Sequence, residues 1–163
     1  MQTNTDMIPT LAPIFQCLEE TYEAVRISIE QAGDSRLGWK PAPNTKTFAE
    51  IAEHIASANL TYATVIGPGD VKRQWQIDPS PAKDWLLARL DESLATARQT
   101  LEGVTEENLH DSRENDWCPN CEEQLIQGPL DALWFAQQMV RHTAYHLGQL
   151  NLYLRLLEIG TYD

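Results

Sequence analysis

Four segments of the chain place apolar residues three and four positions apart, which is the spacing of an amphipathic helix. The first segment covers residues 8–29 and has the most regular pattern in the sequence. Its apolar stripe consists of Ile8, Leu11, Phe15, Leu18, Tyr22, Val25 and Ile29. Gly33 follows, and glycine often ends helices because left-handed backbone angles cost it little. The pattern therefore predicts a helix that stops at Gly33.

A second helix is predicted over residues 47–66, with sequence signals at both of its ends. Thr47 and Glu50 have the spacing of a capping box, in which each side chain binds the backbone amide of the other residue. The run Gly67-Pro-Gly69 marks the end of the segment. Its apolar stripe consists of Phe48, Ile51, Ile55, Tyr62 and Ile66.

Two further helices are predicted over residues 81–102 and 129–158. Pro81 and Pro129 fit the first turn of each helix, because the missing amide hydrogen of proline costs nothing there. The apolar positions of the third helix are Leu87, Leu90, Leu94, Ala97 and Leu101. The main stripe of the fourth consists of Phe135, Met139, His142, His146, Leu150, Tyr153 and Leu157, followed by Gly160. A second row in that helix consists of Leu130, Leu133, Val140, Ala144, Leu147 and Leu154.

Together these segments predict an all-α protein in which residues 1–163 form a single four-helix-bundle domain. No segment alternates with period two for long enough to suggest a sheet, and the chain has no internal repeat. The connections between the helices are long enough to permit crossovers, so a strict up-and-down order does not follow.

The charge balance narrows the range of partners. The chain has 24 acidic and 12 basic residues, for a formal net charge of −12. Such a surface is repelled by nucleic acids and by anionic lipid headgroups, so neither is expected as a partner. No window reaches the length of about 18 apolar residues that a membrane span requires. The first residues also lack the pattern of a signal peptide, and a cytoplasmic protein is expected.

The three cysteines are too few for a disulfide scaffold. Cys17 falls within the first apolar segment, and we predict that it is a buried small hydrophobic residue. Cys118 and Cys121 form a Cys-x-x-Cys pair in the polar stretch 104–128. The pair fits two accessible reduced thiols, a dithiol switch, or part of a zinc site supplemented by His110, which otherwise reads as a surface residue. Stretch 104–128 adjoins the fourth helix and could form a wall of a pocket.

Histidines at three positions suggest a metal site. His142 and His146 are four residues apart, so they lie on the same face of the fourth helix and interrupt its apolar stripe. His54 has a related position on the flank of the stripe in the second helix. A buried polar ring needs a partner. A shared metal ion would satisfy all three rings, whereas separate hydrogen bonds to neighbouring groups would satisfy each of them singly.

The context of these histidines resembles a known family. His54 ends the run Phe48-Ala-Glu-Ile-Ala-Glu-His54, and the fourth helix contains His142-Thr-Ala-Tyr-His146-Leu-Gly-Gln149. With Trp39-Lys-Pro-Ala-Pro43 and the late Tyr153-Leu-Arg155, this is similar to the DinB/YfiT-like metalloenzyme family, the DinB superfamily.

That resemblance implies a bundle with a crossover connection and one divalent metal ion bound by His54, His142 and His146. It also implies frequent dimerisation, and activities that include those of low-molecular-weight-thiol transferases and of a thiol-dependent isomerase. The chain has Leu147 where members commonly carry arginine. Any role of that arginine in binding an anionic ligand is therefore in doubt here.

Three neutral imidazoles leave a coordination position open, as catalytic metals do, and nitrogen ligands suit Zn, Ni or Fe. The expected function is a metal-dependent transferase that uses a small thiol on a small electrophilic substrate. A metal-dependent hydrolase and a non-catalytic metal-binding, dimeric scaffold or stress-response protein are the alternatives. Glu50 is the best candidate for a base near the metal, although the capping box explains it equally well. Gln149 is a candidate partner of His146.

A homodimer is expected because the fourth helix has more apolar residues than one core stripe needs. Large exposed apolar patches are uncommon on monomers, and a two-fold contact would cover the surplus. The alternative is a monomer in which this helix is central and stretch 104–128 folds over the surplus.

Overall fold

The computed structural model describes residues 7–67, 82–113 and 130–159. Within these ranges the chain forms four α-helices and one short 3-10 helix at Asp34–Arg36. The α-helices are α1 (Ala12–Ala32), α2 (Phe48–Ile66), α3 (Lys83–Glu102) and α4 (Ala132–Leu156). Each lies within or close to a predicted segment, and they pack as a bundle, which confirms the all-α fold class.

The helix ends show which sequence signals decide the boundaries. Thr47 and Glu50 form both hydrogen bonds of the predicted capping box, and Gly33 follows α1 with φ +63°. The predicted start of α4 near residue 129 is three residues too early. Asp131 is the N-cap, and its side chain accepts a hydrogen bond from the Trp134 amide at 2.8 Å. A side-chain acceptor for the free amides therefore sets this boundary.

Contacts between the helices define their directions. Arg26 pairs with Asp91 and Arg98 pairs with Glu19, so α1 and α3 are antiparallel. The Ser93 hydroxyl donates to the Ala56 carbonyl, and a Cβ on Gly67 would lie 3.4 Å from the Thr100 side chain. Residue numbers therefore rise in the same direction along α2 and α3, so these two helices are parallel. Their connection is consequently a crossover, as predicted.

The fourth helix is antiparallel to α2. His54 lies beside His146 near the start of α2, and Tyr62 lies beside Phe135 near its end. Because α4 packs against both α1 and α2, its two faces are covered by neighbouring helices. The histidine-bearing face of α4 is the one that meets α2.

Side chains from all four helices fill the core, including Phe15, Phe48 and Phe135. Cys17, in contrast, is exposed, so the prediction that it is buried is wrong. Residue 17 is only two positions after Phe15 and one before Leu18, so it points away from the stripe that these residues share. An apolar segment does not bury every small residue within it.

A buried hydrogen-bond network joins one residue from each helix. The Asn59 side-chain amide donates to the Tyr22 hydroxyl and to the Thr143 hydroxyl, both at 2.8 Å. The Tyr22 hydroxyl lies 2.8 Å from the Ser93 hydroxyl, which donates to the backbone of α2. All four residues are buried. Since each bond needs one particular pairing of helices, the network favours a single register of the bundle.

The connection between α1 and α2 ties one end of the bundle together. The Tyr153 hydroxyl of α4 donates to the Lys46 carbonyl at 3.0 Å, and the Tyr153 ring packs edge-on against Trp39. The Asp34 carboxylate accepts a hydrogen bond from the backbone amide of Lys83 at 2.8 Å, so it supports the start of α3. Together these contacts fix the segment that precedes α2.

Residues 104–113 follow α3 as a series of turns, in agreement with the absence of a helical pattern there. Val104 and Leu109 are nevertheless buried in the core. His110 is exposed, as predicted, and its ring lies 2.7 Å from the N-cap carboxylate of Asp131. Cys118 and Cys121 lie outside the described residues. No helix in the described ranges is both long and apolar enough to cross a membrane.

Candidate metal centre

The three predicted histidines meet at the contact between α2 and α4. His54 comes from α2, and His142 and His146 come from consecutive turns of α4. One ring nitrogen from each lies within 4.8 Å of the other two. The Nε2 atoms of His54 and His142 are 3.1 Å apart, although the residues are separated by 88 positions in the chain. The fold therefore brings together the set that the sequence singled out.

This arrangement is suited to a metal ion. Two nitrogens bound to one tetrahedral zinc ion at about 2.0–2.1 Å are about 3.3 Å apart, close to the distance between His54 and His142. The three rings lie edge to face, with centroids 4.4–4.9 Å apart. Rotations of the side chains could place all three nitrogens around one ion. The His54, His142 and His146 group could thus hold a metal ion, with room for a further ligand.

The protonation states also fit this use. Burial, with a smaller contribution from the neighbouring imidazoles, lowers the pKa of His54 to about 4 and that of His142 to about 3. Burial also lowers the pKa of His146, although its contact with Gln149 acts in the opposite direction. All three rings are therefore neutral near pH 7. A neutral imidazole presents the lone pair that a metal ion needs.

Gln149 determines which nitrogen of His146 faces the site. Its side-chain oxygen lies 2.7 Å from His146 Nδ1, and an amide oxygen can only accept a hydrogen bond. His146 Nδ1 consequently carries the hydrogen and leaves Nε2 unprotonated. The Gln149 nitrogen in turn donates to the Tyr145 hydroxyl at 3.4 Å. Gln149 thus contacts His146, as predicted, and would orient this ring if it bound a metal ion.

His142 has a different environment. Its Nδ1 atom is buried and has no hydrogen-bond partner in the described part of the chain. The ring instead packs edge-on against Tyr62, with centroids 5.8 Å apart. Within the described residues, the contact with the Tyr62 ring therefore takes the place of a hydrogen bond on the Nδ1 side of His142.

Exposed side chains of mixed character border the site. Tyr145 is 66% exposed, and its ring lies edge-on to His146 at 5.0 Å. Lys46 is close enough for its charge to lower the pKa of both His54 and His146. Neither residue stood out in the sequence, because the positions of Tyr145 and Lys46 matter only once the helices are packed.

Glu50 is engaged elsewhere. Its carboxylate accepts a hydrogen bond from the Thr47 amide at 2.6 Å, and this bond lowers the pKa of Glu50. The structure thus accounts for Glu50 through the capping box, one turn from His54. Leu147, at the position where arginine is common, is half-buried against the core.

Comparison with known proteins agrees with this architecture. The family model of the DinB superfamily matches residues 18–150, a range that includes all three histidines. No curated protein matches the chain.

Solved structures of low sequence identity share the fold. A DinB-like protein from Bacillus subtilis has a TM-score of 0.68 at 18% identity, covering 93% of this chain and 97% of its own. One from Bacillus cereus has a TM-score of 0.68 at 16% identity, with coverages of 92% and 94%. A conserved protein from Enterococcus faecalis has a TM-score of 0.65 at 18% identity, with coverages of 87% and 92%. With a four-helix crossover fold and a family match over most of its length, this chain belongs to the DinB superfamily.

Proposed function

We propose that the protein is a metal-dependent transferase that joins a small thiol to a small electrophilic substrate. The observation that carries the proposal is the group of three neutral histidine nitrogens at the α2–α4 contact. Three nitrogen ligands leave at least one coordination position for a substrate, as in catalytic sites and unlike four-ligand structural sites. Zn, Ni or Fe is the metal that such ligands favour.

The role of the bound metal would be to stabilise the thiol in its thiolate form. The sulfur would then form a bond to the electrophilic carbon, the leaving group would depart with the electron pair of the bond that breaks, and the thiol proton would be released to solvent. The protein residues contribute geometry. His54 and His142 converge from opposite helices, and Gln149 holds the tautomer of His146 that directs Nε2 towards the site.

The surroundings of the histidines favour thiol transfer over hydrolysis. Hydrolysis at a metal generally uses a carboxylate that accepts a proton from water. The nearest candidate from the sequence, Glu50, is held in the capping box by the Thr47 amide. A thiol needs no such base, because coordination to a metal is sufficient to deprotonate it.

Metal stoichiometry is the first test. The purified protein, reconstituted separately with Zn, Ni and Fe, is expected to bind one ion per chain. The His142→Ala, His146→Ala double variant should bind none at the same metal concentration. His110→Ala is the matched control, because this exposed histidine bonds to Asp131 and is not part of the group. Full stoichiometry in the double variant would disprove the site.

Turnover is the second test. The metal-loaded protein is incubated with a panel of low-molecular-weight thiols and model electrophiles, and loss of free thiol is followed. Turnover that requires both the metal and His142 supports the transferase. Hydrolysis of ester or amide substrates without a thiol would favour the metal-dependent hydrolase. Absence of both reactions with every metal, in a protein that binds the ion, would favour the non-catalytic scaffold.

A further inference from the structure

A pocket lies beside the C-terminal ends of α2 and α3. Its volume is about 540 Å³. Ala63, Ile66 and Val104 form apolar parts of its wall, and Gln99, Thr100 and Arg113 contribute polar groups. Ala63 is nine residues beyond His54, which corresponds to about 14 Å along the helix axis. The pocket is therefore separate from the histidine group.

Arg113 differs from the other half-buried arginines of the described chain. Arg26 pairs with Asp91, Arg89 with Glu92 and Arg98 with Glu19. Arg113 has no carboxylate within 4.0 Å in the ranges that the structure covers, although acidic residues outnumber basic residues two to one in the chain. A partly buried positive charge without a counter-charge is costly. Since none of its described neighbours supplies a counter-charge, a negatively charged ligand would be a suitable partner for Arg113.

The guanidinium of Arg113 also has an unused hydrogen-bond donor. Its Nη2 atom donates to the Asn108 carbonyl at 3.0 Å, whereas Nε is buried and has no acceptor within the described residues. A ligand in the pocket cannot reach the buried Nε, but Arg113 lines the pocket, so the exposed part of its guanidinium can donate to such a ligand.

We infer that this pocket binds a small organic carboxylate. A carboxylate matches the paired donors of a guanidinium, and the Thr100 hydroxyl lines the same space. The apolar wall suits a short hydrocarbon body. Phosphate fits less well, because Arg113 is the only charged residue among the described residues that line the pocket. Both helices also direct their C-terminal carbonyls towards this end, which disfavours a doubly charged anion more than a singly charged carboxylate.

The test measures the thermal unfolding midpoint of metal-free protein in EDTA against increasing butyrate, at constant ionic strength and sodium concentration. Removal of metal keeps the carboxylate from acting at the histidine group. We expect a saturable rise that fits one site, and at least about 10-fold weaker affinity in Arg113→Gln, because a charge-assisted bond is lost. Inorganic phosphate, titrated in the same way, should bind more weakly than butyrate.

Three variants separate the pocket from general effects of charge and folding. Arg155→Gln removes one exposed arginine at the far end of α4 and should leave the butyrate affinity unchanged. Arg113→Lys retains the charge but loses the paired donors, and an intermediate affinity is expected. Thr100→Leu narrows the pocket without changing Arg113 and should also weaken binding. No saturable response of the unmodified protein, equal affinity in Arg113→Gln, or tighter binding of phosphate would each overturn the inference.

Discussion

His146 Nδ1 and Gln149 Oε1 lie 2.7 Å apart on consecutive turns of α4. Through this contact, the half-buried Gln149 determines the tautomer of His146, which lies against α2. Because the amide oxygen only accepts, the ring hydrogen is held on Nδ1, and Nε2 remains available for a metal ion. The contact would therefore prepare the His146 ring for a metal ion before that ion binds.

Loss of the Gln149 acceptor should weaken metal binding without abolishing it. For Gln149→Leu we expect metal affinity about 10–100-fold lower, the usual effect of removing a partner of a ligating histidine. Gln149→Glu keeps an acceptor and should retain affinity close to that of the unmodified protein. Competition titration with a chromophoric chelator measures the change. Gln137→Leu, at an exposed position of the same helix, is the control, and equal affinities in the two leucine variants would contradict the prediction.

The buried histidines should make the metal-free protein less stable in mild acid. The pKa values of His54 and His142 in the folded chain are about 4 and about 3, below the ordinary 6.5, mainly because burial disfavours the charged ring. At a pH between the ordinary value and these lowered values, the unfolded chain binds more protons than the folded chain. The contribution to the free energy of unfolding is thus complete above about pH 6.5 and declines as the pH falls towards 4 and 3.

Urea denaturation at intervals from pH 8 to pH 5.5, in the presence of EDTA, measures this dependence. The slope of the free energy of unfolding with pH should be small near pH 8 and larger below pH 6.5. His142→Gln removes one of the titrating groups, so its slope at pH 5.5 should correspond to about one fewer proton taken up on unfolding. An identical slope in the variant would show that His142 protonates equally in both states.

Asn59 should be among the most sensitive polar positions of the core. Asn59→Ala removes both donors to Tyr22 and Thr143 and leaves a small cavity, for an expected loss of about 2–4 kcal/mol in the free energy of unfolding. Asn151→Ala is the matched control, because Asn151 is half-exposed and accepts one long bond from Ser28 at 3.4 Å. It should cost less than about 1 kcal/mol. Similar losses for the two variants in urea denaturation would contradict a special role for the network.

We propose that an exposed apolar row on α4 mediates a homodimer. Tyr145, Leu152 and Leu156 are the large hydrophobic side chains exposed in the described residues, at 66%, 53% and 54%. This row differs from the second apolar row that was predicted to form the dimer contact. In that predicted row Leu154 is buried, and Leu133, Val140 and Leu147 pack partly against the core. A two-fold contact of α4 with its copy would cover the exposed row.

Sedimentation across a concentration range tests the dimer. The unmodified protein should have the dimer mass at micromolar concentrations, and the Leu152→Glu, Leu156→Glu double variant should have the monomer mass. Ala95→Glu adds a charge at an exposed position of α3 and should leave the dimer intact. A monomer mass for the unmodified protein at high micromolar concentration would exclude the dimer.

The parts of the fold that depend on local chemistry could be predicted from sequence. The capping box at Thr47 and the stop at Gly33 need only neighbouring residues, and both are found as predicted. His142 and His146 could be paired because helical spacing alone puts them on one face. The position of His54 beside an apolar stripe made it a candidate, but helical spacing could not pair it with His142, since their contact spans 88 residues. The family resemblance supplied that pairing.

The remaining features depend on packing between distant segments. Ser93 and Asn59 read as ordinary helix residues, and their roles emerge only when all four helices meet. Arg113 lies in a polar stretch with no periodic pattern, so nothing in its neighbourhood indicates a pocket. Cys17 shows the converse error, because an apolar context suggested burial at a position that geometry turns outwards.

The hydrogen bond from the Lys83 amide to Asp34 has a consequence for how the chain could be divided. The start of α3 is anchored by a residue 49 positions upstream, on the connection between α1 and α2. The adjoining crossover segment is thus not the sole determinant of where this helix begins. Two separately expressed fragments, one ending with α2 and the other starting just before α3, would still contain the Asp34 carboxylate and the Lys83 amide, which align α3 with the rest of the bundle. The same anchoring would let the crossover vary in length among related chains while the histidines on α2 and α4 stay in register.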